Sequence, residues 1–293
     1  MKKKKSLGQI VLNLVFIVLM VCYLVPVLTL ISGSLTDETA LVQNGFSIIP
    51  SEFSTSAFGM ALRNSNQLIQ SYITTIIVTA VSTVASVLLM ALLAYPMARP
   101  NFIWRKSLNF FVLFTMLFNG GMVPTYLLFS NVLHITDTIW ALILGSLVNG
   151  YYVMVIRTSY SSLPYELIEA AKIDGAKELY ICFKIIIPLT KASIASVAFL
   201  FLVTKWNNWE SSMLYIRQKP QLYTLQYLLQ RMLREADMIK QLADPGMLTA
   251  GEVIPSETLR FAMALLAAGP VLLVFPFFQK YFTKGMTIGG VKG

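Results

Sequence analysis

The chain has 293 residues, of which 56% are hydrophobic and 13% charged, with a formal net charge of +9. Its mean hydropathy is +0.67. Soluble domains carry about 25% charged residues, so this composition excludes an ordinary soluble protein and predicts an all-α polytopic membrane protein. No nucleic-acid partner is implied by the positive charge, because Lys and Arg flank apolar runs, where membrane topology requires them.

A spanning helix needs about 20 mostly apolar residues. Six such runs occur, near 9–32, 72–97, 108–130, 138–157, 189–209 and 259–281. The first follows Lys2-Lys3-Lys4-Lys5; it is too long for a signal peptide and is closed by no small-residue cleavage site, so it reads as a retained helix. Cys22 lies in that run and Cys182 in a later polar segment, on levels too different for a disulfide. Lys and Arg gather at the N-terminus, at Arg99, Arg105 and Lys106, at Arg157, Lys172, Lys177 and Lys184, and at Lys280, Lys284 and Lys292. The short loop 131–137 has none, and 33–71 has Arg63 against Asp37, Glu38 and Glu52. The positive-inside rule therefore predicts both termini in the cytosol.

The organisation predicted is a basic N-terminus and first span over 1–32, an extracytoplasmic loop over 33–71, a core over 72–282 and a cytosolic tail over 283–293. The single histidine, His134, stands without a Cys or carboxylate cluster, so no metal site is predicted. Polar groups in a bilayer are costly and often line a cavity. Asn119, Thr125 and Tyr126 on the third span, Asn149, Tyr151 and Tyr152 on the fourth, and Trp206 and Asn207 on the fifth are the candidates for a substrate path. Close helix packing at Gly120, Gly121, Gly145 and Gly150 and an aromatic belt at Trp206, Trp209 and Tyr215 are the plainer readings of the same region.

Residues 164–188 form a polar island between apolar runs. Pro164 suits a first helical turn, Ser161 or Ser162 offers a cap, and Glu166 and Glu169 favour the helix N-terminus. Leu163, Leu167, Ile168 and Ala171 make an apolar stripe, with Ala170 and Ala171 giving a flat face. Gly175 is placed to stop the helix in the left-handed conformation. Ile185 to Ile187 lead to Pro188, which is expected to break the path and start the fifth span. On the residues alone, a helix anchoring the loop at the interface and a helix docked by another protein both stand.

The outer loop 210–258 holds an amphipathic pattern from Gln221 to Ala243, ended by Asp244-Pro245-Gly246. It reads as a helix capping the bundle or lying on the membrane, or as a contact for an extracellular partner.

The island Glu169-Ala170-Ala171-Lys172-Ile173-Asp174-Gly175-Ala176, with Ile185 and Pro188, resembles the EAA loop of ABC-importer permeases. The wider chain resembles the MalG-like side of the carbohydrate-uptake permeases, within it the LplC/YtcP-like group. Phe118-Asn119-Gly120-Gly121-Met122-Val123-Pro124-Thr125-Tyr126, Trp206-Asn207-Asn208-Trp209 and the tail from Gly285 to Gly293 carry that resemblance. It implies a type I importer permease with six transmembrane helices, itself without enzymatic activity or bound cofactor. Its partners would be membrane lipid, a second homologous permease, an ATPase dimer that holds ATP and magnesium, an extracytoplasmic binding protein and a carbohydrate. Glu169, Ala170, Ala171, Asp174, Gly175 and Pro188 would contact the ATPase, and Gly289, Gly290 and Lys292 of the tail would reach it too. The chain carries no G-x-x-x-x-G-K-[ST] phosphate loop of its own. Relatives carry a second proline where this chain has Ala192, so a straighter start to the fifth span is expected. The alternatives are a permease for a peptide or amino acid and a secondary transporter. The latter would need central ionisable residues, whereas Lys191, Lys205 and Glu210 lie near span ends.

Overall fold

A computed structural model describes residues 7–63, 65–242 and 257–289. Among the described residues the chain is helical and contains no strand, with one isolated bridge between Thr36 and Phe53. The helices in chain order are α1 (Leu7–Ser34), α2 (Glu38–Asn44), α3 (Ser56–Ala61), α4 (Ser65–Ala98), α5 (Arg105–Leu117), α6 (Met122–Leu127), α7 (Ile139–Leu144) and α8 (Gly150–Ser161). They continue as α9 (Glu166–Ile173), α10 (Glu178–Tyr180), α11 (Ile187–Leu189), α12 (Lys191–Trp206), α13 (Glu210–Tyr215), α14 (Leu225–Leu242) and α15 (Glu257–Gly289).

Among the described residues, three helices are long and apolar enough to cross a membrane: Val11–Ser34, Ser65–Ala98 and Glu257–Tyr281. Two bent pairs raise the number to five if each is one span. The first pair, Arg105–Leu117 with Met122–Val132, turns by 108°, and the second, Glu178–Leu189 with Lys191–Trp206, by 81°. The run expected as a third continuous span is thus broken at residues 118–121. There Gly121 takes φ 88 and its N–H is held by the Asn119 side chain at 2.9 Å. The run expected as the fourth is two short helices, α7 and α8, because Asn149 starts a new helix by capping Tyr151 N–H and Tyr152 N–H. A Cβ on Gly150 would meet Met116 Cγ at 2.6 Å, so this glycine sets the close approach of α8 to α5. Gly120 and Gly121 face open space and serve no such packing.

Two compact units emerge. One gathers α1 to α3 with α14 from Leu229 onward and α15 as far as Gly269. Every residue of α1 from 11 to 28 is exposed, and an apolar helix exposed on all faces belongs in lipid or against another apolar helix. Glu38 is buried in this unit and accepts bonds from Glu257 N–H and Thr258 N–H, capping α15. Arg260 makes a fork-like pair of bonds to Asp237, both 2.9 Å, and Phe46 meets Phe261 edge-on.

The second unit runs from Ile69 to Leu228 and takes up α15 again from Pro270. Its core packs Met90, Ala94 and Met97 of α4 against Val153 and Ile156 of α8 and Val197 and Phe201 of α12. The outer amphipathic helix begins at Leu225, where its first N–H is held by Thr75 Oγ1 of α4 at 2.7 Å. The stop expected at Asp244-Pro245-Gly246 lies outside the described residues.

Candidate functional site: the loop helix and the polar groups of the spans

The polar island folds as a short helix, a turn and a second helical segment. α9 has Glu166 and Glu169 in its first turn and Lys172 in its last, which suits the helix dipole at both ends. Neither Ser161 nor Ser162 caps it: the N-cap position is Tyr165, with no side-chain bond, and Ser162 Oγ instead donates to Ser159 O.

The C-terminus has the closure that the sequence promised. Gly175 takes φ 78. Its N–H donates to Lys172 O at 3.0 Å, and Ala176 N–H donates to Ala171 O at 2.9 Å. These are the two bonds of a Schellman motif, whose outer pair brings Ala176 and Ala171 together. Both alanines join the same apolar cluster. No atom lies within 4 Å of a Cβ placed on Gly175, so the glycine is needed for its backbone conformation and not for space.

The phase of α9 divides its residues. Ile168 and Ala171 are buried against Met97, Ile156 and Ile181, so they bolt the helix to the spans. Glu169, Ala170, Asp174 and Gly175 face outward. Of the expected flat alanine face, Ala170 alone is outward, and Leu167 of the expected apolar stripe is exposed. Ile173 is 86% exposed and Leu179 68%.

Pro188 does not end the helical path. Residues Glu178–Leu189 run as one helical stretch that widens to π geometry over Ile181–Ile186, with Ile187 N–H donating to Cys182 O. Pro188 sits exposed inside α11. The break falls at Thr190, whose hydroxyl donates to Ile186 O at 2.8 Å, and α12 leaves at 81°. The expected straighter start without a second proline is therefore replaced by a sharp bend.

One group escaped the sequence reading. Glu178 Oε2 accepts Tyr95 OH at 2.5 Å and Arg99 Nη2 at 2.7 Å, while Oε1 meets Lys172 Nζ at 2.8 Å. Its partners lie 83 residues away on α4, 79 residues away just past the end of α4, and six residues away on α9, so no spacing signal could disclose it.

The polar groups of the spans separate into clusters. Asn119 and Asn149 both spend their side-chain oxygens on local N–H groups. Asn207 caps α12, bonding Val203 O and accepting from Gln226 Nε2 at 3.1 Å. Tyr126 stacks on Tyr215 at 6.2 Å under the Arg217 guanidinium. Tyr152 instead packs edge-on against Phe201 in the main core. Trp206 is buried. Lys205, in the last turn of α12, is buried too, its Nζ donating to Leu142 O of α7 at 3.3 Å and lying over the Phe201 ring. Gly289 closes α15, whereas Gly290 and Lys292 lie outside the described residues.

Apolar helices suited to a bilayer, broken spans and a capped loop helix bolted to them define a multi-pass membrane protein. Over residues 57–288 the chain matches the family described as "Binding-protein-dependent transport system inner membrane component", and it belongs to that family. It is 33% identical over 291 residues to the polygalacturonan/rhamnogalacturonan transport system permease protein YtcP of Bacillus subtilis, covering 99% of this chain and 100% of that one. To protein LplC of the same organism it is 36% identical over 271 residues, covering 92% and 90%. A solved bacterial ABC transporter involved in import of the acidic polysaccharide alginate aligns with a TM-score of 0.75 and 26% identity, over 96% of this chain and 99% of that one.

Proposed function

We propose that the chain is a permease subunit of a binding-protein-dependent ABC importer that carries a carbohydrate, an oligosaccharide, across a bacterial cytoplasmic membrane. The observation that carries this reading is the Schellman-capped helix α9, with Ile168 and Ala171 fixed in the core and Glu169, Ala170 and Asp174 turned outward. Such a helix offers a rigid outward face through which another protein can move the spans as a packed body. Similarity to permeases named for polygalacturonan/rhamnogalacturonan and arabinooligosaccharides, and to an ABC transporter involved in alginate import, supports the cargo class.

In this reading the chain has six transmembrane crossings, two of them bent, and both termini in the cytosol. It pairs with a second homologous permease and lines half of the path. ATP and magnesium are held by a cytosolic ATPase dimer, and this chain is a non-catalytic subunit. Glu169, Ala170, Asp174 and Gly175 meet the ATPase, Ala171 anchors their helix, Pro188 lies at the rim, and the tail with Gly290 and Lys292 adds a second contact. An extracytoplasmic binding protein docks near the outer loop. Asn119, Tyr126, Asn149, Tyr152, Trp206 and Asn207 are the candidates for sugar contact, since aromatic faces and amides suit sugar rings and hydroxyls.

The test is to purify the complex with its binding protein and screen oligosaccharides, peptides and amino acids for stimulated ATP hydrolysis. Stimulation by an oligosaccharide is expected. Stimulation by peptides or amino acids alone would overturn the cargo class, and failure to copurify an ATPase would overturn the importer reading.

A further inference from the structure

The geometry points to Glu178 as a positioning residue that ties the loop helix α9 to the end of α4 and so carries movement of the loop into the spans. This rests on the importer reading above and adds to it a residue outside the EAA stretch.

The placement carries the argument. Tyr95 lies in the last turn of α4 and Arg99 directly follows the end of that helix, with the Arg99 guanidinium 4.9 Å from the Tyr95 ring centre. Both reach one oxygen of Glu178, and Lys172 from the last turn of α9 reaches the other. Glu178 is the first residue after the Gly175 turn region to enter a helix. One carboxylate therefore joins the segments on either side of that turn to a third element.

Packing alone leaves this side of α9 loose. Its inner face is held by Ile168 and Ala171, but beside Lys172 there is a cleft of about 390 Å³ lined by Leu92, Tyr95, Arg99, Tyr165, Lys172 and Glu178. Glu178 and its three partners all line that cleft. Arg99 has a side chain only 10% exposed, against 53% for Glu178 and 46% for Lys172. The inner half of the tie is thus shielded from solvent, where a charge-assisted bond keeps its strength. From Glu178 the helical stretch continues to Thr190 and the 81° bend into α12. A displacement of α9 has two rigid routes inward, through Arg99 into α4 and through residues 178–189 into α12.

The experiment uses the complete complex of both permeases, ATPase and binding protein in lipid nanodiscs. Hydrogen exchange of residues 191–206 is compared before and after trapping the ATPase with ATP and vanadate, for the wild type, Glu178→Gln and Arg99→Gln. The wild type is expected to change its exchange in 191–206 on trapping. Each variant is expected to keep its ATPase subunits and ATP hydrolysis while that change shrinks about fivefold. A response equal to wild type in whichever variant assembles overturns the inference. Failure of both variants to assemble makes the tie a folding contact and overturns it as well. A wild-type chain that binds no ATPase overturns the underlying reading, an outcome distinct from a responding wild type with equally responding variants.

Discussion

The carboxyl group of Glu38 caps the helix that begins at Glu257: Oε2 accepts the Thr258 N–H at 2.9 Å and the Thr258 hydroxyl at 2.8 Å, and Oε1 accepts the Glu257 N–H at 3.0 Å. A helix start leaves such N–H groups without intrahelical partners, and here a residue 220 positions away supplies them. Both Glu38 and Thr258 are buried, so water cannot substitute easily when the acceptor is removed. Glu38→Ala should therefore cost about 2 kcal/mol, read as a lowered Tm in detergent, whereas Glu52→Ala on an exposed residue should leave Tm near the wild-type value.

The sequence made local requirements legible and distant ones not. Gly175 could be foreseen because its φ of 78 is demanded by the turn it sits in, and the turn residues lie beside it. The choice between Ala170 and Ala171 needed the phase of α9 against the spans, which no four-residue motif fixes. The breaks at residues 118–121 and at Thr190 were hidden because apolar residues continue on both sides, and hydropathy reads composition and not direction. Asn119, Gly120 and Gly121 did carry a turn signal, and it was outweighed by the apolar run around them. Glu178 and the buried Thr75 of α4 act through partners many residues away, so their roles appear only when the chain is folded.

Substitution at Gly175 separates strain from crowding, since a Cβ there meets no neighbouring atom. A non-glycine residue in the left-handed region costs about 1–2 kcal/mol, and asparagine less. If α9 is the face that an ATPase grips, Gly175→Ala should reduce the copurified ATPase about 5–30-fold, the factor that 1–2 kcal/mol represents. Gly175→Asn should fall between alanine and wild type. Equal recovery of ATPase with all three residues would show that the C-terminal closure of α9 has no part in docking.

Asn149 has a structural duty that must be separated from any contact with sugar. Its side-chain oxygen accepts Tyr151 N–H at 3.0 Å and Tyr152 N–H at 3.3 Å at the start of α8. Asn149→Ala should cost about 1 kcal/mol of stability through the lost cap, whereas Asn149→Asp keeps an acceptor there and should hold the Tm. The aspartate nevertheless lacks the amide N–H donors. A raised half-saturation for substrate-stimulated ATP hydrolysis in Asn149→Asp, at unchanged Tm, is the outcome expected of a residue on the path. An unchanged value would confine Asn149 to capping.

Asp137 joins the turn before α7 to the strand-like exit of α13, accepting Arg217 N–H at 2.7 Å and Gln218 N–H at 2.8 Å. Partial burial pushes its carboxyl upward, but the backbone N–H groups of Gln218, Arg217 and Lys219, with the Lys219 charge, outweigh this and hold it below the usual aspartate range. Because the folded value is depressed, the contribution of Asp137 is fully present above the unfolded value of about 3.9. It is lost as pH falls through the lower folded value, since protonation removes the charged acceptor that these donors favour. Hydrogen exchange at Arg217 and Gln218 should therefore stay protected from neutral pH down to about 4 and open below it, once corrected for the intrinsic pH dependence of exchange. Asp137→Asn keeps one acceptor oxygen without the charge, so its protection should be lower at neutral pH and flat across the acid range. A wild-type profile as flat as that of Asp137→Asn would show that the charge of Asp137 does not hold this junction.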